Sequence, residues 1–213
     1  MGDRGHHKSV RLSYDTVAEE YAARLHDELA GKPLDRALLA SLLEQTEPGT
    51  AIADLGCGPG HVAAWLAGKG ARTVGIDLSA GMVEAGRRRF AQVEFREGDL
   101  LELPAEDGEF GSAVAFYTIT HLAPGDLRRA FEEAGRVLRP SGLLLLSFHI
   151  GEEVRHLDEW WGHAVDVDFR FLEPAHITGL LEAAGFTVEM HMERTHYAHE
   201  VETRRAYLLA RRG

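Results

Sequence analysis

The sequence contains little cysteine, few basic residues and no long apolar run, and each of these shortages excludes a class of protein. A single cysteine, Cys57, forms no intramolecular disulfide and supplies no four-cysteine zinc site. There are 23 Lys and Arg residues against 34 Asp and Glu residues, which gives a formal charge of −11. Such an acidic balance disfavours non-specific binding to nucleic acid or to anionic membranes. We therefore expect neither of them as a partner.

The length and the apolar content point to one compact unit. No stretch approaches the roughly 18 consecutive apolar residues of a membrane span, and Met1–Arg11 lacks the apolar core of a signal peptide. With 213 residues, 45% of them hydrophobic, the chain is long enough to bury a core. We expect a single cytoplasmic domain over residues 1–213, either a monomer or a homodimer.

Short apolar runs alternate with helical patterns from residue 51 onward, and this alternation predicts an α/β doubly wound sheet. The predicted strands are Ala51–Leu55, Arg72–Ile76, Val93–Phe95, Ala113–Ile119, Gly142–Phe148, Phe186–Glu193 and Ala206–Ala210, the last two as an antiparallel pair. Residues 1–48 are predicted to form N-terminal lid helices, with Thr16 and Glu19 as a capping box. Residues 150–174 show no clear period and are interpreted as a substrate-side insertion after strand five.

The most informative segment is the glycine-rich turn that follows the first strand. Gly56, Gly58 and Gly60 give the spacing G-x-G-x-G, whereas the dinucleotide fingerprint is G-x-G-x-x-G. Glycines at a strand-to-helix turn let the backbone approach a ligand closely, and the helix N-terminus offers unpaired N–H groups to an anion such as a carboxylate. Asp54, directly before the turn, would repel a pyrophosphate and accept a hydrogen bond from an ammonium group.

Two further acids follow the next two predicted strands. Asp77 is placed to accept hydrogen bonds from both hydroxyls of a ribose, and Asp99 to accept one from the exocyclic amine of an adenine. Together with Asp54, these acids stand at the carboxyl ends of three successive strands. The pattern suits a cationic nucleoside that carries a ribose and a purine.

Four motifs together resemble, in order and spacing, those of class I S-adenosylmethionine-dependent methyltransferases. They are DLGCGPG at 54–60, GIDLS at 75–79, GDLLELP at 98–104 and LRPSGLLLLSF at 138–148. The segment from Tyr14 to Tyr21 is similar to the lid helix of the small-molecule branch of that family. The resemblance implies a Rossmann-like, seven-stranded sheet with an antiparallel last strand, and S-adenosylmethionine as the cofactor.

The resemblance also implies which residues contact the cofactor. The glycine turn would pack against the methionine moiety, Asp77 would bind the ribose hydroxyls, and Asp99 with the Leu100 backbone would read the adenine. The full predicted set is Tyr14, Asp54, Gly56, Cys57, Gly58, Asp77, Leu78, Met82, Asp99, Leu100 and Tyr117.

Apolar and aromatic side chains complete this predicted cofactor site. Leu78 and Met82 would flank the adenine ring, and Tyr14 would close over the methionine end. Tyr117 is expected to pack against the cofactor. Cys57 stands among turn glycines with no activating partner in the sequence, so we expect a small buried side chain there and not a nucleophile.

Several residues are candidates for the acceptor side. His121 follows strand four and is either a catalytic candidate, as a base or acceptor contact, or a histidine that hydrogen-bonds backbone near the cofactor. His149 ends strand five and is either a base or acceptor contact, or a solvated strand end. Trp160 and Trp161 form either an aromatic wall or a small satellite core. Arg204 pairs either with an anionic acceptor or with an acid of its own chain.

The twelve histidines raise the question of a metal. Neither the set at 149, 156 and 163 nor the set at 191, 196 and 199 matches a known ligand spacing. No metal is predicted.

The sequence favours transfer of a methyl group from S-adenosylmethionine to O, N or S of a small molecule by in-line displacement. A non-catalytic sensor of S-adenosylmethionine or S-adenosylhomocysteine is an alternative, because binding and turnover use the same glycine turn. A nicotinamide-dependent oxidoreductase on a similar sheet is a second alternative, which the glycine spacing and Asp54 disfavour.

Overall fold

The structure, a computed structural model, describes residues 4–213 and is organised around a central sheet. The strands of the described residues are β1 (Ala51–Leu55), β2 (Arg72–Asp77), β3 (Glu94–Glu97), β4 (Phe110–Phe116), β5 (Leu138–His149), β6 (Val154–Trp160), β7 (His163–Arg170), β8 (Phe186–Arg194) and β9 (Arg205–Arg212). The helices are α1 (Arg4–Arg24), α2 (Pro33–Gln45), α3 (His61–Ala67), α4 (Ala80–Arg89), α5 (Leu127–Val137) and α6 (Pro174–Ala183), with 3₁₀ turns at Glu28–Gly31 and Ile119–His121.

Seven strands form one sheet in the order β3-β2-β1-β4-β5-β9-β8. Strands β1 to β5 pair in parallel, whereas β9 runs antiparallel to both of its neighbours, β5 and β8. The predicted α/β sheet with an antiparallel last strand is therefore confirmed. Because β1, β2 and β4 are parallel, the loops after them meet at one edge of the sheet.

The four consecutive leucines of β5 show why the sheet is covered on both faces. Leu144 and Leu146 belong to the apolar core that α5 and α6 cover, whereas Leu143 and Leu145 belong to the core that α2 and α3 cover. Successive strand residues point to opposite faces, so an unbroken apolar run needs apolar partners on both sides. All four side chains are buried.

The segment predicted as an irregular insertion is a β-hairpin, formed by β6 and β7, that packs on α1. The Ser13 hydroxyl donates to the Asp166 carbonyl at 3.1 Å and accepts from the Asp166 N–H at 2.9 Å. Within β7 the apolar residues Val165, Val167 and Phe169 alternate with polar ones, which is the strand signal that the sequence analysis missed.

The start of α1 corrects a second prediction. The helix already begins at Arg4, so Thr16 lies inside it and donates to the Leu12 carbonyl at 2.7 Å. The predicted capping box of Thr16 and Glu19 is therefore wrong, because the polar first turns are helical as well. The expectation for Met1–Arg11 lies partly outside the described residues. Between residues 4 and 213, no helix combines the length and the apolar content that crossing a bilayer requires.

Candidate functional site

A cavity of about 670 Å³ lies at the carboxyl ends of β1, β2 and β4, and residues of α1 and of the β6–β7 hairpin line it as well. This volume falls within the roughly 300–1,000 Å³ of ligand pockets. The cavity extends from the glycine turn after β1 to the end of β5, so most of the predicted cofactor and acceptor residues border one space.

The glycine turn forms a concave wall of this cavity. Gly56 adopts a φ of +69°, and a Cβ there would lie 1.9 Å from Thr118 Oγ1. Gly58 adopts a φ of +53°, and a Cβ there would meet only the Tyr21 ring, at 3.8 Å. Both residues line the cavity, so a side chain at Gly58 would fill space that a ligand can use. Because Gly56 and Gly58 have no side chains, the turn leaves a concave surface, here called the glycine cradle.

Two of the three predicted acids lie at this turn, Asp54 buried and Asp77 partly buried. Asp54 Oδ2 accepts from the Ala63 N–H at 3.0 Å, and burial raises the pKa of Asp54 to about 7. Asp77 accepts from the Gly58 N–H at 2.7 Å and from the Ser79 N–H at 2.9 Å, and burial raises its pKa to about 6. Each carboxylate oxygen has a second lone pair, so both side chains have acceptor capacity left for a ligand.

The third acid, Asp99, contacts the N-terminal helix α1 at the end of the cavity where the adenine is predicted. Asp99 Oδ1 accepts from the Leu101 N–H at 2.9 Å, and Oδ2 lies 3.2 Å from His7 Nδ1. The other ring nitrogen of His7 lies 3.4 Å from Asp126 Oδ2. His7 of α1 thus stands between two carboxylates, and this contact holds α1 over the end of the cavity where the adenine is predicted.

The predicted adenine contacts are not all at the cavity. Leu78 and Leu100 line it. Met82 instead is fully buried against Val17 and Ala18 of α1, outside the cavity lining. The prediction for Met82 is not supported by this placement, because its position on α4 turns the side chain toward α1.

The Cys57 side chain packs with Ala63, Val83 and Phe95 in a small apolar cluster behind the turn. Burial raises the pKa of its thiol well above the usual value, so the thiol stays protonated. This placement agrees with the expectation of a buried, unreactive side chain. A cofactor contact at Cys57 therefore depends on its backbone.

His121 is held by two partners within the protein. Its Nδ1 lies 2.9 Å from the Asp168 carbonyl, and its Nε2 lies 2.8 Å from the Tyr14 hydroxyl. Because a carbonyl only accepts, Nδ1 carries the proton and Nε2 accepts from Tyr14. Burial lowers the pKa of His121 to about 4, so the ring is neutral. Of the two sequence interpretations, the geometry favours a histidine that hydrogen-bonds protein groups beside the cofactor.

His149 lines the cavity at the end of β5, and a hydrogen bond to one of its ring nitrogens holds the ring in place. Its Nδ1 lies 2.8 Å from Thr203 Oγ1, and its ring stacks on Phe171 at 5.4 Å and lies 5.0 Å from the Tyr117 ring. Burial, with a smaller contribution from Arg205, lowers the pKa of His149 to about 4. The ring is therefore neutral near pH 7. Because the Thr203 hydroxyl donates to the Val201 carbonyl at 3.4 Å, Nδ1 donates to Thr203 and Nε2 is the nitrogen able to accept a proton.

The two tryptophans have different surroundings. Trp160 lines the cavity and packs edge-on against Tyr14 at 5.5 Å and Tyr21 at 5.7 Å. Trp161, at the hairpin turn, is not among the cavity-lining residues, and its ring lies 5.1 Å from the Arg24 guanidinium. An aromatic wall is thus present at Trp160, while the predicted acceptor contact of Trp161 is not supported.

Arg204 also lies outside the cavity lining. Its exposed side chain pairs with Glu193, so it contacts an acid of its own chain and not an anionic acceptor. Arg205, the next residue, is buried and lines the cavity opposite His149 in the β5–β9 register. Side chains alternate between the two faces along a strand, so neighbours at its start point in opposite directions.

The sequence analysis missed a group of buried and partly buried polar side chains at the end of the cavity near His149. This inner polar cluster consists of Glu28, Lys32, Asp35, Arg194, Glu200, Arg205 and Tyr207. It draws on α2, β8, β9 and two loops, and no short motif joins these segments. An acid in the first turn of α2 is ordinary at a helix N-terminus, so Asp35 carries no sequence signal of its own. Within residues 4–213, no three His, Cys, Asp or Glu side chains are grouped so as to hold a metal ion.

Residues 52–142 match a family model described as a methyltransferase domain. A probable S-adenosylmethionine-dependent methyltransferase of Mycolicibacterium smegmatis is 35% identical over 147 residues, covering 66% of this chain and 53% of that protein. A 2-phytyl-1,4-naphtoquinone methyltransferase of Trichormus variabilis is 30% identical over 166 residues, covering 71% of each. The chain spans about half the length of the first curated relatives that it matches.

A solved structure extends the similarity to the whole fold. It is the 1,6-didemethyltoxoflavin-N1-methyltransferase of Burkholderia thailandensis with bound 1,6-didemethyltoxoflavin and S-adenosylhomocysteine. The TM-score is 0.76 at 20% identity, covering 100% of this chain and 91% of that one. At this identity the similarity is evidence for the fold.

Proposed function

Because this chain belongs to the class I S-adenosylmethionine-dependent methyltransferase family, we propose that it transfers a methyl group to O, N or S of a small molecule. The predicted family, and with it the enzyme class and the cofactor, is confirmed. Membership in this family also decides against a nicotinamide-dependent oxidoreductase. The proposal is carried by one observation: the glycine cradle, the acids and the neutral His149 border a single cavity.

The residues around the glycine turn fit the cofactor. Asp77 has acceptor capacity for the two ribose hydroxyls, and Asp99 with Leu100 borders the end of the cavity assigned to adenine. Asp54 supplies a buried negative charge for the ammonium group, and Gly58 leaves the turn open for the methionine moiety. When bound, S-adenosylmethionine supplies an electrophilic methyl group on a positively charged sulfur.

A small acceptor suits the volume of this cavity, which α1 and Trp160 border on one side. The relative from Trichormus variabilis is named as a naphthoquinone methyltransferase, and this supports a ring compound as the acceptor. The cavity walls can orient the acceptor atom toward the methyl group, and positioning of this kind contributes much of the rate in displacement reactions. His149 Nε2 takes the proton that the acceptor atom loses, while Thr203 fixes the ring through Nδ1.

Replacing His149 by phenylalanine is expected to lower kcat about 100-fold with an acceptor that loses a proton. Base catalysis contributes about 10²–10⁴, and a pKa of about 4 places His149 at the lower end because its ring is a weak base. Phenylalanine keeps the stacking on Phe171 but has no nitrogen, so cofactor affinity is expected to stay within twofold. Steady-state kinetics test this, with the exposed His191→Phe as the matched control. Unchanged turnover in His149→Phe removes the base role.

Affinity for S-adenosylhomocysteine is expected to rise between pH 5 and pH 8. The ammonium and hydroxyl donors of the ligand favour ionised acids, whereas burial keeps part of the Asp77 and Asp54 population protonated up to their pKa values of about 6 and about 7. Binding therefore releases protons at pH 6 and none well above pH 8. Asp54 faces His61, which lowers its pKa, and Asp77, which raises it.

Calorimetry in two buffers of different ionisation enthalpy measures this proton release directly. The Asp54→Asn variant is expected to lose the part of the rise between pH 6 and pH 8 while keeping the part below pH 6. An affinity that stays flat or falls over this range contradicts the assignment of the two acids.

A panel of phenols, quinols, N-heterocycles and thiols, each incubated with methyl-labelled S-adenosylmethionine, tests the proposed function itself. Labelled acceptor and S-adenosylhomocysteine are expected to appear in equal amounts for one of these classes. Tight cofactor binding without turnover across the panel would overturn the enzyme and favour the sensor.

A further inference from the structure

The inner polar cluster carries balanced charges. Lys32 Nζ lies 2.6 Å from Glu28 Oε1, and Arg194 lies 2.6 Å from Glu200 Oε2. Arg205 Nε lies 3.5 Å from the same Glu200 oxygen. Each of the three cations therefore has a carboxylate partner. With three carboxylates beside three cations, this end of the cavity has no net positive charge to attract an anionic acceptor, although the Arg205 Nε is a buried donor without a hydrogen-bond partner among residues 4–213.

One acceptor atom of the cluster has no partner. Asp35 is 1% exposed, and its Oδ1 accepts from the Tyr207 hydroxyl at 2.8 Å and lies 3.5 Å from Arg194. Its Oδ2 is buried and accepts no hydrogen bond from any residue between 4 and 213. A buried oxygen without a hydrogen bond destabilises the protein, and Asp35 lines the cavity. To satisfy it, a hydrogen-bond donor has to reach Asp35 from the cavity.

Aromatic rings border the same end of the cavity. Phe116, Tyr117 and His149 all line it, with the Tyr117 ring 5.0 Å from the His149 ring. The Phe116 ring packs 6.2 Å from Tyr207, the residue that fixes Asp35. Flat walls of this kind select a flat ligand, whereas the unpaired oxygen selects a hydrogen-bond donor on it.

We propose that Asp35 is a specificity-determining residue, which accepts a hydrogen bond from an O–H or N–H group of a neutral aromatic acceptor. This group is distinct from the one that is methylated, which faces His149. The inference rests on the proposed function and narrows its substrate class to rings that carry two such donors. Asp35 does not take part in the chemical step.

Binding of simple rings to the protein saturated with S-adenosylhomocysteine tests this without turnover. The ligands are the three isomeric dihydroxybenzenes and the three aminophenols, each compared by calorimetry under anaerobic conditions with the methoxyphenol of the same substitution. The methoxy group removes the second donor and keeps the ring. At least one donor isomer is expected to bind the wild type about tenfold or more tightly than its methoxyphenol.

The Asp35→Asn variant is expected to lose this preference, so that both members of the pair bind within threefold. Tyr207 and Arg194 donate to Oδ1, so the amide oxygen takes that place and the amide nitrogen replaces the unpaired Oδ2. The exposed Asp27→Asn, which also lines the cavity, is the charge-matched control and should keep the preference. If Asp35 only stabilised the fold, the Asp35→Asn variant would bind both members of the pair less tightly by the same factor.

The proposal is overturned if no donor isomer outbinds its methoxyphenol in the wild type, if no ring of the panel binds, or if Asp35→Asn retains the preference. The wild-type comparison decides even where the variant does not fold. Binding with the expected preference but without methyl transfer upholds Asp35 and overturns only the proposed function. Methyl transfer without the preference overturns only the role of Asp35.

Discussion

Replacing Asp77 by alanine is expected to weaken binding of S-adenosylhomocysteine about 10³-fold. The ribose hydroxyls would lose two hydrogen bonds to a charged acceptor, each worth about 1.5–3 kcal/mol. Their sum of about 3–6 kcal/mol corresponds to a factor of roughly 10²–10⁴ in the dissociation constant. Calorimetry at pH 8 is the appropriate measurement, because the pKa of about 6 leaves the carboxylate ionised there.

The control for this variant is Asp107→Ala, which removes an exposed acid that pairs with Arg136. Its affinity is expected to stay within twofold of the wild type. Asp77→Ala also leaves the Gly58 and Ser79 N–H groups without their acceptor, so thermal melts must establish that the variant is folded at the binding temperature. A folded Asp77→Ala protein with undiminished affinity contradicts the assignment of Asp77 to the ribose.

The parts of the fold that could be predicted are those where one local requirement decides the structure. The leucines of β5 need cover on both faces whatever surrounds them, and the run of glycines after β1 permits positive φ values that side chains rarely adopt. Strand ends were less predictable. The fourth strand was predicted to reach Ile119 but ends at Phe116, because Tyr117 takes a φ of +59°.

The acceptor half of the cavity could be predicted only in fragments, because tertiary contacts decide it. The hairpin after β5 was missed, because only the three alternating apolar residues of β7 signal it and β6 shows no alternation of period two. The choice between Arg204 and Arg205 depends on where β9 begins, and a shift of one residue reverses the face of every side chain. Asp35 shows the limit most clearly, because its significance comes from Tyr207, which lies 172 positions away in the chain.

Replacing Gly56 by alanine is expected to lower the free energy of unfolding by about 2–5 kcal/mol. A side chain at a φ of +69° costs about 1–2 kcal/mol, and forcing a methyl group into occupied space costs about 1–3 kcal/mol more. The occupied space belongs to Thr118, whose Cβ would lie only 2.5 Å from the new methyl carbon. Rotation about χ1 moves the Thr118 hydroxyl but leaves its Cβ in place, so the backbone has to shift.

Gly49→Ala separates the two contributions to this loss. Gly49 has a φ of +83°, and a Cβ there would meet nothing within 4 Å, so this variant carries the backbone strain without the clash. Urea unfolding at 25 °C is expected to give a loss of about 1–2 kcal/mol for Gly49→Ala. Equal losses in the two variants would mean that the contact with Thr118 relaxes at no cost.

A double variant then isolates the contact itself. Thr118→Gly removes the Cβ that the new methyl group would strike, so adding Gly56→Ala to it should cost only the strain measured at Gly49. The coupling energy between the two sites is expected to be about 1–3 kcal/mol. Cofactor affinity should fall in Gly56→Ala and recover in the double variant. The clash displaces the turn that lines the cavity, whereas backbone strain alone leaves the turn in place. Recovery of stability without recovery of affinity would show that Thr118 itself contacts the cofactor.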